Sequence, residues 1–502
     1  MRARSRNYTA GFMFPPLARL LGRLSAVLGL YAVAFYSASG LTLSHYDARA
    51  HLVVARRVLD SITPGWEQIG AVWLPLPHLL NMLPVQIDHL YRTGAAAIAI
   101  SVLSQVLAVA AIAGTVVLLT ASLPGAVLAA TLFATNPNVL YLQSTPMSEP
   151  LLFGLTALQI FLLSRWVMNG NIDDSRRLTG WVTVLACLTR YEAWPVTAAA
   201  LIGSIYAWWR RGTPIGRVIR AHAALAVYPA AAVAAFLLFS RVTVGEWFVS
   251  SGFFVPDETL RAQPSIVYDK IIEGVTSLAG SRFVIVAEIS LVAAALLGVV
   301  RRERAPLAIP LALFAAGALP VTAYLDGHPF RIRYEIPLIM SAAVAIGVAV
   351  GQLRDWAKPV AALIVLAVSL QRPPFDPRAP MLAEAQLDSE NSRGRSVVTA
   401  CLRNRYDHGS IMASMGSLGH YMQELAWAGF DISDFLHEGN HPMWDSAFTR
   451  GPAPLVEWVL VEEKAEGGDV LAHRQRLRPA FLRDFDRLCV GGNVALYRRK
   501  RE

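Results

Sequence analysis

Four polar clusters interrupt an otherwise apolar sequence, and each holds side chains able to act on a hydroxyl, a phosphate or a metal. The densest, SHYDARAHLVVARRVLDS, contains Asp47, His51, Arg56 and Arg57. Asp47 and His51 are four residues apart, so on a helix they share a face, and the arginines follow one to two turns later. Such a set suits a carboxylate base beside an anion site. It equally suits an amphipathic interfacial helix with a capping Asp and solvated arginines. The second cluster, NPNVLYLQSTPMSEPLLFG, places Glu149 and Pro150 where an apolar run begins. A carboxylate there is favoured by the helix dipole and Pro by the first helical turn, so Glu149 reads as a cap or as a functional acid. The third, LTRYEAWP, carries Arg190 and Glu192, either an interfacial salt bridge or a functional pair at membrane depth. The fourth, DGHPFRIRYEIP, carries Arg331, Arg333 and Tyr334. Along an extended segment Arg331 and Arg333 point to one side, as a bidentate phosphate clamp requires. As anchors of the following span they need no such alignment.

The elements that must position these clusters follow from composition. Of 502 residues, 54% are hydrophobic and 16% charged, whereas soluble domains carry about 25% charged residues. A first apolar run reaches about residue 40. Others lie near 95–120, 124–142, 150–167, 178–191, 194–209, 219–240, 283–300, 306–325, 335–353 and 358–371. The chain therefore reads as a polytopic α-helical membrane protein of about 11 spans, residues 1–371, followed by a C-terminal α/β domain, residues 372–502. With a cytoplasmic N-terminus, the inner segments before 372 hold 17 basic and 4 acidic residues, the outer ones 11 and 14. That asymmetry obeys the positive-inside rule. It puts the chain in a cytoplasmic (inner) membrane with its C-terminal domain outside. All four clusters then fall on the outer side, where Asp47 and Glu149 are expected to share one cavity.

Outer loops 44–92 and 241–282 are long, and the first contains TPGWEQIGAVWLPLPHLLNMLPV, which suits short interfacial helices. After the linker RPPFDPRAP, the tail shows apolar runs SVVTAC, SIMAS, EWVLVEE and NVALYRR between helix-like stretches such as SLGHYMQELAWAG, a small α/β pattern. The formal charge is +9, but residues 372–502 are nearly balanced, with 17 basic and 18 acidic residues. A basic excess confined to interhelical loops is a topology signal, which argues against a nucleic-acid partner. Of the three cysteines, Cys187 sits in an apolar run, while Cys401 and Cys489 share the tail and could pair in an oxidising compartment.

Together, SHYDARAH after the first span, WLPLPH, TPMSEPLLFG, LTRYEAWP and FRIRYEIP resemble the integral-membrane GT-C glycosyltransferases over roughly residues 20–350. The branch resembled is bacterial family 39, related to protein mannosyltransferases and aminoarabinose transferase. That resemblance implies transfer of a sugar from a polyprenyl-phosphate donor to a protein, lipid or glycan acceptor at the outer face of the membrane. By resemblance, Asp47 is the base that deprotonates the acceptor hydroxyl and Glu149 the second acid. Arg331 and Arg333, with Arg56, Arg57 or Arg190, hold the lipid phosphate; His78, Glu192 and Tyr334 complete the substrate-binding set. A divalent cation, Mg or Mn, on Asp47, Glu149 and His51 is a further implication. Relatives commonly carry paired acids after the first span and a lysine in the loop aligned with WLPLPH. Here Asp47 stands with His45 and His51, and His78 is the titratable residue of that motif.

Two non-enzymatic readings compete: a transporter or flippase of lipid-linked glycans, and an envelope assembly protein. Transporters place ionisable groups near the midplane, often within inverted repeats. This sequence has no internal repeat, and its charged motifs sit at helix ends.

Overall fold

A backbone in hydrocarbon must satisfy its own polar groups, and every apolar stretch named above is helical. The computed structural model describes residues 14–249, 256–464 and 468–501. Residues 1–13 of the basic N-terminal segment and 250–255 of the 241–282 loop lie outside the described residues. The chain runs through α1 (Pro16–Ala38), α2 (Tyr46–Arg56), α3 (Leu76–Asn81), α4 (Asp88–Thr93), α5 (Ala95–Thr120), α6 (Leu123–Ala134), α7 (Pro137–Leu142) and α8 (Glu149–Asn169). It continues through α9 (Arg177–Cys187), α10 (Ala193–Arg210), α11 (Ile215–Val244), α12 (Pro264–Ala279), α13 (Ser281–Val300), α14 (Ala308–Leu311), α15 (Ala318–Leu325), α16 (Ile336–Gly351) and α17 (Ala357–Ser369).

Seven segments among the described residues are long and apolar enough to cross a membrane: α1, α5, α8, α11, α13 and the runs Arg302–Leu325 and Ile332–Gly351. The other four apolar stretches are shorter helices: α6 with α7, α9, α10 and α17. The protein is a polytopic membrane protein. Its helices approach closely where side chains are smallest. A Cβ on Gly154 of α8 would stand 2.7 Å from the Ser104 carbonyl of α5, and one on Gly125 of α6 2.5 Å from the Gly347 carbonyl of α16. Such crossings are how helices associate where apolar surface gains nothing from leaving lipid.

The tail adds α18 (Pro380–Arg405), β1 (Ile411–Met412), α19 (Met415–Leu425), β2 (Phe435–Leu436), α20 (Met443–Arg450), β3 (Trp458–Glu462), α21 (Val470–Leu477), β4 (Phe485–Gly491) and β5 (Val494–Arg499). The sheet order is β2-β1-β3-β5-β4. β1 runs parallel to both β2 and β3, and the remaining pairs are antiparallel. SIMAS, EWVLVEE and NVALYRR contribute strands. SVVTAC lies instead within α18. Its Val398 is buried with Leu402, the residue that follows the run, while Val397 is exposed, and that four-residue recurrence is helical rather than strand spacing. The β4–β5 turn uses Gly492 and Asn493 at φ +55° and +65°, as a two-residue type I′ hairpin demands.

The 44–92 loop and the tail share a core. Leu52, Val53 and Ala55 of α2 are buried with Val398 and Leu402 of α18, Leu418 of α19 and Trp458 of β3. The start of α18 is embedded in the helical bundle instead, through Met381, Leu382 and Ala385. Polar contacts reinforce the junction: Gln68 donates to the Gly439 carbonyl at 2.7 Å and Asn440 to the Ser61 hydroxyl at 3.0 Å. α2 is therefore held from both sides.

Cys401 of α18 and Cys489 of β4 form a disulfide across a sequence separation of 88. Closing a loop of that length restricts the unfolded chain, and removing a native disulfide typically costs about 2–5 kcal/mol. Cys401→Ser is therefore expected to speed protease cleavage within residues 406–499 of the purified chain. Equal cleavage rates would show that packing against α2 alone stabilises the sheet.

Candidate active site

The site is assembled from chain segments that leave or enter helices on one side of the bundle. His45 caps α2, its Nδ1 accepting from the Asp47 amide at 3.2 Å. Asp47 thus lies in the first turn, where the helix dipole favours its charge. Its carboxylate is buried and forms an ion pair with Arg333, delivered by the short 3-10 turn Ile332–Glu335 that precedes α16. One turn along α2, His51 Nδ1 meets His78 Nε2 of α3 at 3.0 Å, and its Nε2 lies 3.4 Å from the Ser148 hydroxyl. The Trp73 ring covers His51, centroids 4.2 Å apart. Burial, then the neighbouring His78 and Arg333, holds His51 well below the usual histidine range. Burial and the Arg57 charge press His78 down to about 3. Both imidazoles are neutral at pH 7, one donating to the other.

The second half of the site centres on Arg190, in the link between α9 and α10. Its Nη1 lies 3.0 Å from Glu149 Oε1 and donates to the Ser148 hydroxyl at 3.0 Å. Its Nε and Nη2 grip Glu192 Oε1 at 3.1 and 2.8 Å. Both carboxylates are almost completely buried. The Glu149 contact is close in charge but poorly aligned, since neither of its oxygens has a hydrogen-bond partner. Pro150 and the helix start explain why Glu149 sits there, while Arg190 supplies its counter-charge.

Arg190 and Arg333 face a common cavity of about 160 Å³, whose wall also includes His51, Trp73, Glu192 and Tyr334. Its wall includes neither Asp47 nor Glu149. Each stands one ion pair behind a guanidinium.

The remaining candidates are placed differently. Arg56 turns away from the cavity, toward Asp60 and Asp88 of the 44–92 loop and Asp431 of the tail, which accept from it at 2.6, 2.8 and 3.0 Å. Arg57 is spent on the carbonyls of Gln68 and Ile69. Neither reaches the cavity. Arg331 is extended and half-buried, outside the cavity wall, with its charge acting on Tyr46 and His328. The strand-like alternation expected of Arg331 and Arg333 is absent because residues 332–335 turn as a 3-10 helix. A divalent cation does not fit the set read from the sequence. Asp47, Glu149 and His51 face Arg333, Arg190 and His78. Among the described residues, no group of three or more His, Cys, Asp or Glu side chains stands close enough to hold a metal.

Sequence reasoning passed over the support from α18. His45 Nε2 lies 3.3 Å from Glu384, and the Tyr46 amide donates to Asp388 at 2.9 Å. Burial opposes the charged form of His45, yet Glu384 and Asp47 raise it above the ordinary value. The only signal for this was His45 two residues before Asp47. Glu384 and Asp388 are more than 300 positions away and carry no local mark.

No family model and no curated protein sequence matches the chain. Solved structures do. The chain is similar to ArnT from Cupriavidus metallidurans bound to undecaprenyl phosphate, with a TM-score of 0.57 and 11% identity, covering 95% of this chain and 97% of that one. The apo state of the same protein gives 0.57 and 12% over the same shares. A complex of the Archaeoglobus fulgidus oligosaccharyltransferase with Zn and sulfate gives 0.50 and 11%, covering 93% of this chain and 71% of that one. At these identities the likeness is one of fold: a helical bundle followed by a C-terminal domain.

Proposed function

We propose that this protein transfers a sugar from a polyprenyl-phosphate donor to an acceptor hydroxyl at the outer face of the cytoplasmic membrane. The observation that carries the reading is the pair of guanidiniums, Arg190 and Arg333, facing one cavity at helix ends, each backed by a buried carboxylate. Two planar forks suit the oxygens of a phosphate better than point charges do. The undecaprenyl phosphate bound to the similar ArnT structure supports a lipid phosphate as the anion. The disulfide in the tail and the basic inner loops support an extracytoplasmic site.

In this reading the acceptor oxygen attacks the anomeric carbon, the bond from that carbon to the phosphate oxygen breaks, and Asp47 takes the hydroxyl proton. Polyprenyl phosphate departs with its charge held by Arg190 and Arg333. The arrangement adds an order of events. Asp47 is masked by Arg333 until a phosphate competes for that guanidinium, so donor binding frees the base. Glu149 and Glu192 fix Arg190, and neutral His51, held by His78, lines the cavity without adding charge. The acceptor is a protein, lipid or glycan hydroxyl. The charged groups sit at helix ends rather than at a midplane site, which favours an enzyme over a transporter.

The test is turnover of a labelled polyprenyl-phosphate sugar by the purified protein. Arg333→Lys keeps the charge and loses the fork. One charge-assisted contact is worth about 1.5–3 kcal/mol, so the donor KM should rise roughly ten- to a hundredfold. An unchanged donor KM would reduce Arg333 to an anchor for Asp47 and remove the phosphate site.

A further inference from the structure

On the opposite side of α2 lies a second, larger cleft that the reaction above does not use. Arg49 is two positions from Asp47, about 200° around the helix, and faces away from the catalytic cavity. The cleft measures about 600 Å³ and opens between the end of α1, the end of α4, and the tail helices α18 and α19. Its chemistry is uniform. Ser392, Ser396, Thr399 and Arg403 of α18 recur at steps of four, three and four, so one helical face presents three hydroxyls and a guanidinium to it. Arg49 and Arg92 contribute from the other walls, against a single carboxylate, Glu424.

That carboxylate is already divided between Arg49 and Arg395. Arg92 lies 3.5 Å from Asp88, which Arg56 holds at 2.8 Å. Arg403 is exposed and makes no hydrogen bond or ion pair among the described residues. The cleft therefore has an uncompensated positive charge. It also lies at a boundary. Ser37, in the last turn of the first span, is on its wall, and Leu30 and Val27 continue the same face of α1, 63% and 69% exposed. Trp427 stands at the rim, within cation–π reach of Arg92 and 63% exposed, as tryptophan does at a headgroup layer.

We infer that this cleft binds the phosphate headgroup of an anionic lipid, with its acyl chains running down the Leu30–Val27 face of α1. Arg92 and Arg403 would hold the phosphate oxygens, and the α18 hydroxyls the glycerol or sugar portion. A lipid seated there would wedge α1 and α2 against α18, the helix that also supports Asp47 through Glu384 and Asp388. The inference stands apart from the catalytic reading, because none of its residues contacts phosphate there.

The full chain in detergent, presented with phosphatidylglycerol, phosphatidylcholine or inorganic phosphate, provides the test, with bound lipid counted by native mass spectrometry. Phosphatidylglycerol should bind at least tenfold more tightly than phosphatidylcholine, and R92Q/R403Q should erase that preference. Arg403→Gln alone breaks no hydrogen bond or ion pair among the described residues, so it should weaken phosphatidylglycerol several-fold at an unchanged melting temperature. Asp47→Asn should leave lipid binding intact even if turnover proves absent from the native protein. Equal affinity for the two lipids, full retention in R92Q/R403Q, or inorganic phosphate binding as tightly as phosphatidylglycerol would each overturn the assignment.

Discussion

Asp47→Asn is expected to lower turnover by about 10²–10⁴-fold, the range that positioned general bases supply, while leaving donor affinity unchanged or improved. The second half of that expectation distinguishes a base from a structural carboxylate. Asp47 holds Arg333 in the resting protein. Removing its charge releases the guanidinium to the phosphate, so the donor should bind at least as well. A carboxylate that merely oriented Arg333 would behave oppositely, and its loss would raise the donor KM and spare kcat. Measuring both constants on one preparation separates the cases. A fall confined to KM would reassign Asp47 as a positioning residue, and unchanged kinetics would remove the catalytic reading altogether. The asparagine is isosteric, and the contact that caps this turn is the residue's backbone amide to His45, so the fold of that turn is preserved.

How far the site was legible follows from what each residue depends on. Asp47, His51 and Glu149 can be singled out because their positions obey local rules: a shared helical face and the start of an apolar helix. Arg56 was misjudged by the same geometry applied too loosely. Nine residues past Asp47 is about 180° around a helix, which points it at Asp60, Asp88 and Asp431 in the outer loop and tail. Arg331 and Arg333 hinged on whether their segment is extended or turned, a choice made by the packing of Tyr324, whose hydroxyl contacts both Arg331 and Glu335. The short spans were visible as apolar runs, and the α/β character of the tail was visible too. The seating of the sheet on α2 was not. Leu52 and Val53 read as an interfacial helix's apolar face, and nothing in their spacing says that a strand 400 positions later covers them.

Removing Arg190 should have the largest effect on the fold. Its guanidinium is the counter-charge of Glu149 and Glu192, whose side chains are 0% and 1% exposed. Deleting one partner of a buried ion pair costs about 3–5 kcal/mol, because the charge left behind is neither solvated nor paired. Arg190→Met should therefore unfold or fail to accumulate. That result alone would say little about function, since any buried arginine could produce it. The informative variant removes the charges together. Arg190→Met with Glu149→Gln and Glu192→Gln leaves no orphaned ion, and replacing a buried ionic group by neutral residues of similar volume is often close to neutral for stability. The triple variant should recover the melting temperature in detergent and still fail to bind the polyprenyl-phosphate donor, because Arg190 is one of the two guanidiniums facing the cavity. Recovery of both fold and donor binding would show that the triad is structural, leaving Arg333 to meet the phosphate by itself. Recovery of neither would mean that Arg190 also orders the α9–α10 link through its contact with Ser148, and Ser148→Ala would then reproduce part of the loss without disturbing a charge.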